Sequence, residues 1–96
     1  MKKFVLLHYG FETPTPEIMQ AWGTWFEEMK DHITDMGGHF MQGREISKTG
    51  TETLPLGPDS ITGYTVVQAE SLDAAEAMAA KNPFIKAIRV YEVMSG

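Results

Sequence analysis

The first strand candidate constrains the fold more than any other segment, because apolar side chains occupy both of its faces. Residues 3–9 are rich in β-forming types and end at Gly10, with Pro14 and Pro16 beyond. Side chains alternate between the two faces of a strand. Phe4 and Leu6 therefore share one face, and Val5, Leu7 and Tyr9 share the other. A strand of this kind belongs to a sheet that is covered on both sides.

The remaining patterns predict two helices and three further strands. Thr15, Pro16 and Glu17 are typical of a helix start, and apolar residues then recur at spacings of three and four as far as Met36. Gly37 and Gly38 are expected to end this helix. The further predicted elements are a strand over 39–46, a connecting loop over 47–59, a strand over 60–69, a helix from Ser71 or Asp73 to Asn82-Pro83, and a strand over 85–93.

This order of elements, βαββαβ, predicts a single ferredoxin-like α+β domain over residues 1–96, with a four-stranded antiparallel sheet and two helices on one face. Two helices cover only one side of such a sheet, yet the strand pattern is apolar on both. A second copy of the chain would cover the other side. We therefore expect a homodimer in which two sheets pack into a dimeric α+β barrel.

Composition excludes several classes of function. The chain has no cysteine, which rules out thiolate metal sites, disulfides and a cysteine nucleophile. Its net charge of −5 and its eight scattered basic residues argue against nucleic-acid binding. No apolar run is long enough to span a bilayer, and no cleavage site follows the first strand, so a cytoplasmic protein without membrane contact is expected. The histidine spacing fits no metal motif, and no pattern calls for a cofactor.

The chain resembles the YCII-related family in several stretches. These are Gly63-Tyr-Thr-Val-Val through Asn82-Pro83-Phe84, the strand ending Val90-Tyr-Glu-Val93, the start Phe4-Val-Leu-Leu-His-Tyr-Gly10, and Trp22-Gly-Thr-Trp25-Phe26. The resemblance implies a ferredoxin-like subunit of a dimeric α+β barrel. It also implies a cleft that serves acid–base chemistry on small organic acids in some members.

Two residues of the enzyme-like branch of that family are replaced in this chain. That branch carries a His on the first helix and an Asp in an Asp-Pro-aromatic turn after the second. This chain has Trp22, Trp25 and Met29 in the helix, and Asn82 begins the turn. An amide neither takes up a proton at neutral pH nor orients a histidine as a carboxylate does.

Five residues are candidates for a site. His8 shares a strand face with Phe4 and Leu6, where it would be either a proton carrier or a half-buried interface histidine. Trp22 and Trp25 would line a ligand pocket or pack in the core. Tyr64 would face either the cleft or the interface, and Asn82 would be a hydrogen-bonding remnant of the family's Asp.

Three functions remain open on these grounds. The first is a small-molecule-binding or vestigial enzyme domain with a cleft associated with the dimer. The second is an active lyase, isomerase or hydrolase on a small organic acid, with His8 as acid–base and Glu92 or Asp59 as its partner. The third is a non-catalytic dimerisation or interaction module. The sequence does not decide whether the protein is an enzyme.

Overall fold

The computed structural model describes residues 1–94, so the last two residues of the predicted domain, 95–96, lie outside the described part. Within it the chain forms eight elements. In chain order they are β1 (Lys2–Tyr9), α1 (Pro16–Met29), β2 (Ile33–His39), β3 (Gly43–Ser47), β4 (Gly50–Leu54), β5 (Ile61–Ala69), α2 (Leu72–Ala80) and β6 (Ala87–Val93). Neither helix of this part is long and apolar enough to cross a membrane.

The main sheet has four strands in the order β2-β5-β1-β6, and every pairing is antiparallel. β1 lies in the middle and pairs with β5 on one side and β6 on the other. Burial alternates along β1 and β5, because both helices cover the same face of the sheet. The predicted ferredoxin-like α+β fold is confirmed.

The core lies between this face and the helices. Phe4, Leu6 and Val67 are fully buried on the strands, and Trp25, Met29, Ala75 and Ala79 are buried on the helices. The small alanines let α2 approach the strands closely, whereas the large side chains of α1 hold that helix further from the sheet. Each fully buried apolar side chain of this size contributes roughly 1.5–3 kcal/mol relative to exposure.

Both helices begin where the sequence indicated. The Thr15 hydroxyl accepts a hydrogen bond from the Ile18 amide at 3.2 Å, and Pro16 is the first helical residue. The Ser71 hydroxyl accepts from the Ala74 amide at 3.1 Å, so Ser71, rather than Asp73, is the cap of α2. Asp73 lies in the first turn, where the helix dipole favours its charge.

The predicted end of the first helix was wrong. α1 stops at Met29, and residues 33–39 form the edge strand β2 instead of two more helical turns. Ile33 and Met36 have the right spacing for a helix, but this segment gains hydrogen bonds to β5, beginning with the Gln68 amide to the His32 carbonyl at 2.7 Å. Tertiary pairing therefore overrides the helical pattern.

Gly37 and Gly38 lie inside β2 and do not stop a helix. The pairing of β2 with β5 is irregular here, and Gly37 has a φ of 73°. The Gly37 amide donates to the Asp35 carboxylate at 2.8 Å. A Cβ at Gly37 would overlap the Tyr64 carbonyl, so only glycine fits this bulge.

The predicted strand over 39–46 and the predicted loop over 47–59 were also wrong. His39 ends β2, and the chain then forms a separate hairpin from β3 and β4, with Arg44 opposite Thr53 and Ile46 opposite Thr51. Alternating threonines in residues 51–54 favour a strand, although Gly and Pro on either side suggested a loop. We call residues 43–54 the hairpin arm.

The side of the sheet away from the helices carries the alternate residues of each strand. We call this surface the open face. Its apolar members are half-buried or exposed and comprise Val5, Leu7, Tyr9, Tyr64, Val66, Tyr91 and Val93. The described chain supplies no second layer over them.

Replacing Gly37 with Ala is expected to destabilise the fold by about 2 kcal/mol or more, because a left-handed backbone and an overlap with the Tyr64 carbonyl combine. Gly38→Ala is the matched control, since a Cβ at Gly38 meets nothing within 4 Å. Urea unfolding of both variants measures the difference. Equal midpoints would show that the bulge at Gly37 tolerates a side chain.

Candidate functional site

His8 lies on the helix-covered face of the sheet, near the end of β1. It follows Phe4 and Leu6 in the same buried row and is 7% exposed. Its neighbours across the sheet are Gly63 on β5 and Ile88 on β6. The sequence prediction that His8 shares the face of Phe4 and Leu6 is therefore confirmed.

One ring nitrogen of His8 has a partner and the other has none. Nε2 lies 3.1 Å from Thr65 Oγ1, and Nδ1 is buried without a hydrogen bond among the described residues. If Nε2 carries the proton, Nδ1 presents a lone pair; in the other tautomer, Nδ1 presents an N–H. A buried polar atom left in this state costs about 1–3 kcal/mol, so the site stores free energy that a bound group could recover.

Burial sets the protonation state of His8. Desolvation by burial, together with a smaller contribution from nearby His39, lowers the pKa of His8 from 6.5 to about 4. The ring is therefore neutral at pH 7. It can donate or accept one hydrogen bond there, but it does not offer a positive charge.

His39 is a residue that the sequence reasoning did not connect with this site. It pairs with Gly63, which pairs with His8, so the three residues form one row across β2, β5 and β1. Directly opposed residues share a face, and the two histidines therefore flank Gly63 on the helix side. Only the strand register reveals this relation, because 30 residues separate the two histidines in the sequence.

The two tryptophans have different roles. The rings of Trp22 and His8 meet edge to face with centroids 5.0 Å apart, and Trp22 is half-buried. Trp25 is 2% exposed, and its indole N–H donates to the Met78 carbonyl at 3.0 Å. Trp25 therefore packs in the core with its donor occupied, whereas Trp22 is the indole beside His8.

Asn82 is buried directly after α2. Its side chain is 4% exposed, and neither Oδ1 nor Nδ2 has a partner among the described residues. Its backbone is fixed, because its amide donates to the Ala79 carbonyl and its carbonyl accepts from the Phe84 amide. The end of β1 pairs with the start of β6, which follows α2 in the chain. Asn82, directly after α2, therefore lies at the same end of the sheet as His8.

Tyr64 lies on the other side of the sheet from His8. It pairs with Leu7, and its ring stacks on Phe40 with centroids 5.8 Å apart. Its hydroxyl donates to the Asp35 carboxylate at 3.3 Å. The structure therefore brings His8 and Trp22 together, with Trp25 behind them, and leaves Tyr64 on the open face.

Neither carboxylate considered as a partner of His8 is paired with it. Asp59 accepts a hydrogen bond from Lys86, and a Glu92 oxygen lies 3.9 Å from Lys2. None of the ion pairs within residues 1–94 includes His8. The described part also holds no cluster of three or more residues suited to a metal.

The surface has one depression beside Asn82 and another at the hairpin arm. One of ≈ 450 Å³ runs along α1 and includes Trp25, Thr24 and Glu28, and it ends at Lys81 and Pro83 on either side of Asn82. The other, of ≈ 460 Å³, lies at the base of the hairpin arm and is lined by Gln42, Gly43, Arg44 and Thr53. Only the first adjoins the buried amide of Asn82.

Comparison with known proteins gives a structural neighbour and no sequence relative. No family model and no curated protein matches the chain. A solved structure of 5-chloro-2-hydroxyhydroquinone dehydrochlorinase (TftG) from Burkholderia phenoliruptrix AC1100, in complex with 2,5-dihydroxybenzoquinone, is similar at a TM-score of 0.53 and 15% identity. The match covers 98% of this chain and 95% of that one. At this identity the similarity establishes a shared fold.

The buried neutral state of His8 is expected to make stability pH-dependent. The pKa of His8 is lowered on folding, so the unfolded chain takes up a proton first as the pH falls. The contribution of His8 to stability is full above pH 6.5 and is lost towards pH 4, by at most about 3 kcal/mol for a shift of this size. Unfolding at a series of pH values measures the change.

His8→Gln is the control for this pH effect, because glutamine does not titrate. The variant should lose most of the pH dependence between pH 6.5 and 5. Equal slopes in the two proteins would show that His8 is not buried as a neutral ring.

Proposed function

We propose that this protein is a YCII-related small-molecule-binding domain whose ligand is held between α1 and the end of the sheet that carries His8 and Asn82. One observation carries the proposal. The buried side-chain atoms without a hydrogen bond in residues 1–94 all belong to these two residues: His8 Nδ1, Asn82 Oδ1 and Asn82 Nδ2. Native structures satisfy nearly all buried polar groups, so such a concentration at one end of the fold indicates a missing partner.

The chemistry of the site favours a neutral polar ligand. The neutral imidazole offers one hydrogen bond at Nδ1, and the Asn82 carboxamide offers an acceptor at Oδ1 and donors at Nδ2. Neither group carries a charge. The Trp22 indole beside His8 adds a flat apolar surface that suits a planar ring. A small planar compound with hydroxyl or carbonyl groups fits this combination better than a carboxylate, which an imidazolium would stabilise.

Trp22 is the side chain that we assign to control access to His8. His8 is almost completely buried, and Trp22 is a half-buried side chain whose ring meets the His8 ring. Exposed side chains change rotamer within picoseconds to nanoseconds, and Trp22 keeps part of its surface exposed. We therefore assign Trp22 the role of a movable cover over His8.

Binding is a better interpretation than acid–base catalysis. A catalytic histidine usually needs an orienting carboxylate and a pKa near the working pH. His8 contacts Thr65 instead, and burial lowers its pKa to about 4. This favours a vestigial or binding site over a lyase, isomerase or hydrolase.

We further propose that the protein is a cytoplasmic homodimer whose subunits meet through their open faces. A single copy leaves the apolar side chains of the open face without a covering layer. Tyr91 is 51% exposed, and Val5, Leu7 and Val66 are half-buried. Contiguous apolar surface of this kind usually marks an association surface. A two-fold axis would let each open face cover the other.

Binding can be followed by intrinsic fluorescence, because both tryptophans of the chain lie at or behind the proposed site. The first probe is hydroquinone, a planar diol that is neutral at pH 7. The second is 2,5-dihydroxybenzoquinone, which a protein of the same fold binds and which is anionic at pH 7, so it should bind more weakly than hydroquinone. Saturable quenching is expected in the wild type. His8→Ala should weaken binding at least tenfold, since one charge-free hydrogen bond in a buried site contributes about 1–1.5 kcal/mol and removal leaves its partner unsatisfied.

Tyr64→Phe is the matched control for the binding experiment, because Tyr64 lies on the opposite face. It should leave affinity unchanged. If His8→Ala and Asn82→Ala both bind every quenching probe as tightly as the wild type, the site lies elsewhere.

Leu7→Lys is expected to turn the dimer into a monomer, because it places a charge in the centre of the open face. Ala77→Lys adds the same charge on the exposed side of α2 and should leave the dimer intact. Sedimentation velocity over a range of concentrations measures both. A wild-type chain that sediments as a monomer throughout would rule out the dimer.

A further inference from the structure

The hairpin arm is an unusual feature for a chain of this size, since it stands apart from the main sheet. β3 and β4 pair only with each other, and nearly every residue of the arm is exposed. Ile46, near its tip, is 82% exposed. An isolated two-stranded hairpin is at best marginally stable in water, so this arm needs a surface to pack on.

The base of the arm is attached at the rim of the open face. The Phe40 amide donates to the Thr62 carbonyl at 2.8 Å, and the Phe40 ring stacks on Tyr64. Tyr64 belongs to the open face. The arm therefore leaves the domain on the side where the second copy is proposed to lie.

One face of the arm carries a pair of like charges. Glu45 and Glu52 are directly opposite each other on β3 and β4. Like charges at such positions destabilise a strand pair. Neither carboxylate forms an ion pair within residues 1–94.

The open face carries a matching positive charge. Arg89 lies on β6 opposite Leu7, and its guanidinium sits 4.5 Å from the centroid of the Tyr9 ring. No carboxylate of the described residues pairs with Arg89. A guanidinium held over an aromatic ring is well placed to receive two carboxylates from another molecule.

We propose that the hairpin arm of each subunit lies across the open face of the other, with Glu45 and Glu52 of one copy at Arg89 of the next. A two-fold dimer makes the exchange reciprocal, so the contact forms twice. This inference rests on the open-face dimer proposed above. It assigns a partner surface to both charge groups, whereas Ile46 lies on the opposite face of the arm.

Charge reversal tests the exchange in the full-length protein. Glu45→Lys/Glu52→Lys and Arg89→Glu should each weaken the dimer at least fivefold, because both place like charges together across the contact. The triple variant that combines all three should recover most of the wild-type affinity. Sedimentation equilibrium gives the dissociation constants.

Glu27→Lys/Glu28→Lys is the matched control, because it makes the same change in net charge on the exposed side of α1. It should dimerise as the wild type does. If the wild type is a dimer and the arm variants dimerise equally well, the arm exchange is wrong and the open-face dimer still stands. A wild-type monomer would overturn both.

Zero-length carbodiimide cross-linking locates the contact. The Arg89→Lys variant supplies an amine that can couple to a touching carboxylate. Mixing ¹⁵N-labelled and unlabelled chains should give mixed-isotope peptides that join position 89 to Glu45 or Glu52. Cross-linked peptides of one isotope only would place the arm on its own subunit and refute the exchange.

Discussion

The central position of β1 governs the rest of the structure. Its backbone bonds to β5 on one side and β6 on the other, and its buried row of Phe4, Leu6 and His8 lies against the helices. A strand with neighbours on both sides cannot turn its side chains without breaking both ladders. The position of His8 in the buried row therefore follows from the same register that buries Phe4 and Leu6.

Burial of a polar side chain in that row has a chemical consequence. Phe4 and Leu6 gain stability by leaving water, whereas His8 loses the solvation of its charged form and keeps one unpaired nitrogen. Asn82, directly after α2, is likewise buried with polar side-chain atoms that have no partner among the described residues. Two buried residues with unpartnered polar atoms at the same end of the sheet are typical of a site that binds a further molecule, and the proposed ligand is such a molecule.

The sheet separates two sets of residues that the sequence placed together. Candidate residues on one face, His8 and Trp22, can share a ligand, whereas Tyr64 stacks on Phe40 and belongs with the open face and the hairpin arm. The parity of β1 indicated the face of His8. Nothing in the sequence established the parity of β5 relative to β1, since that depends on which residues pair across the sheet.

The sequence by itself determined the βαββαβ order of the main sheet and its helices, the cap at Thr15, and the buried row of β1, because caps and alternation are local properties of the chain. Only the tertiary structure decided that residues 33–39 form an edge strand, that Gly37 closes a bulge, and that His39 shares a row with His8. Each of these depends on hydrogen bonds or close contacts with β5, which lies about 30 residues further along the chain. A local pattern cannot contain a partner at that distance, so helical spacing at Ile33 and Met36 gave the wrong element.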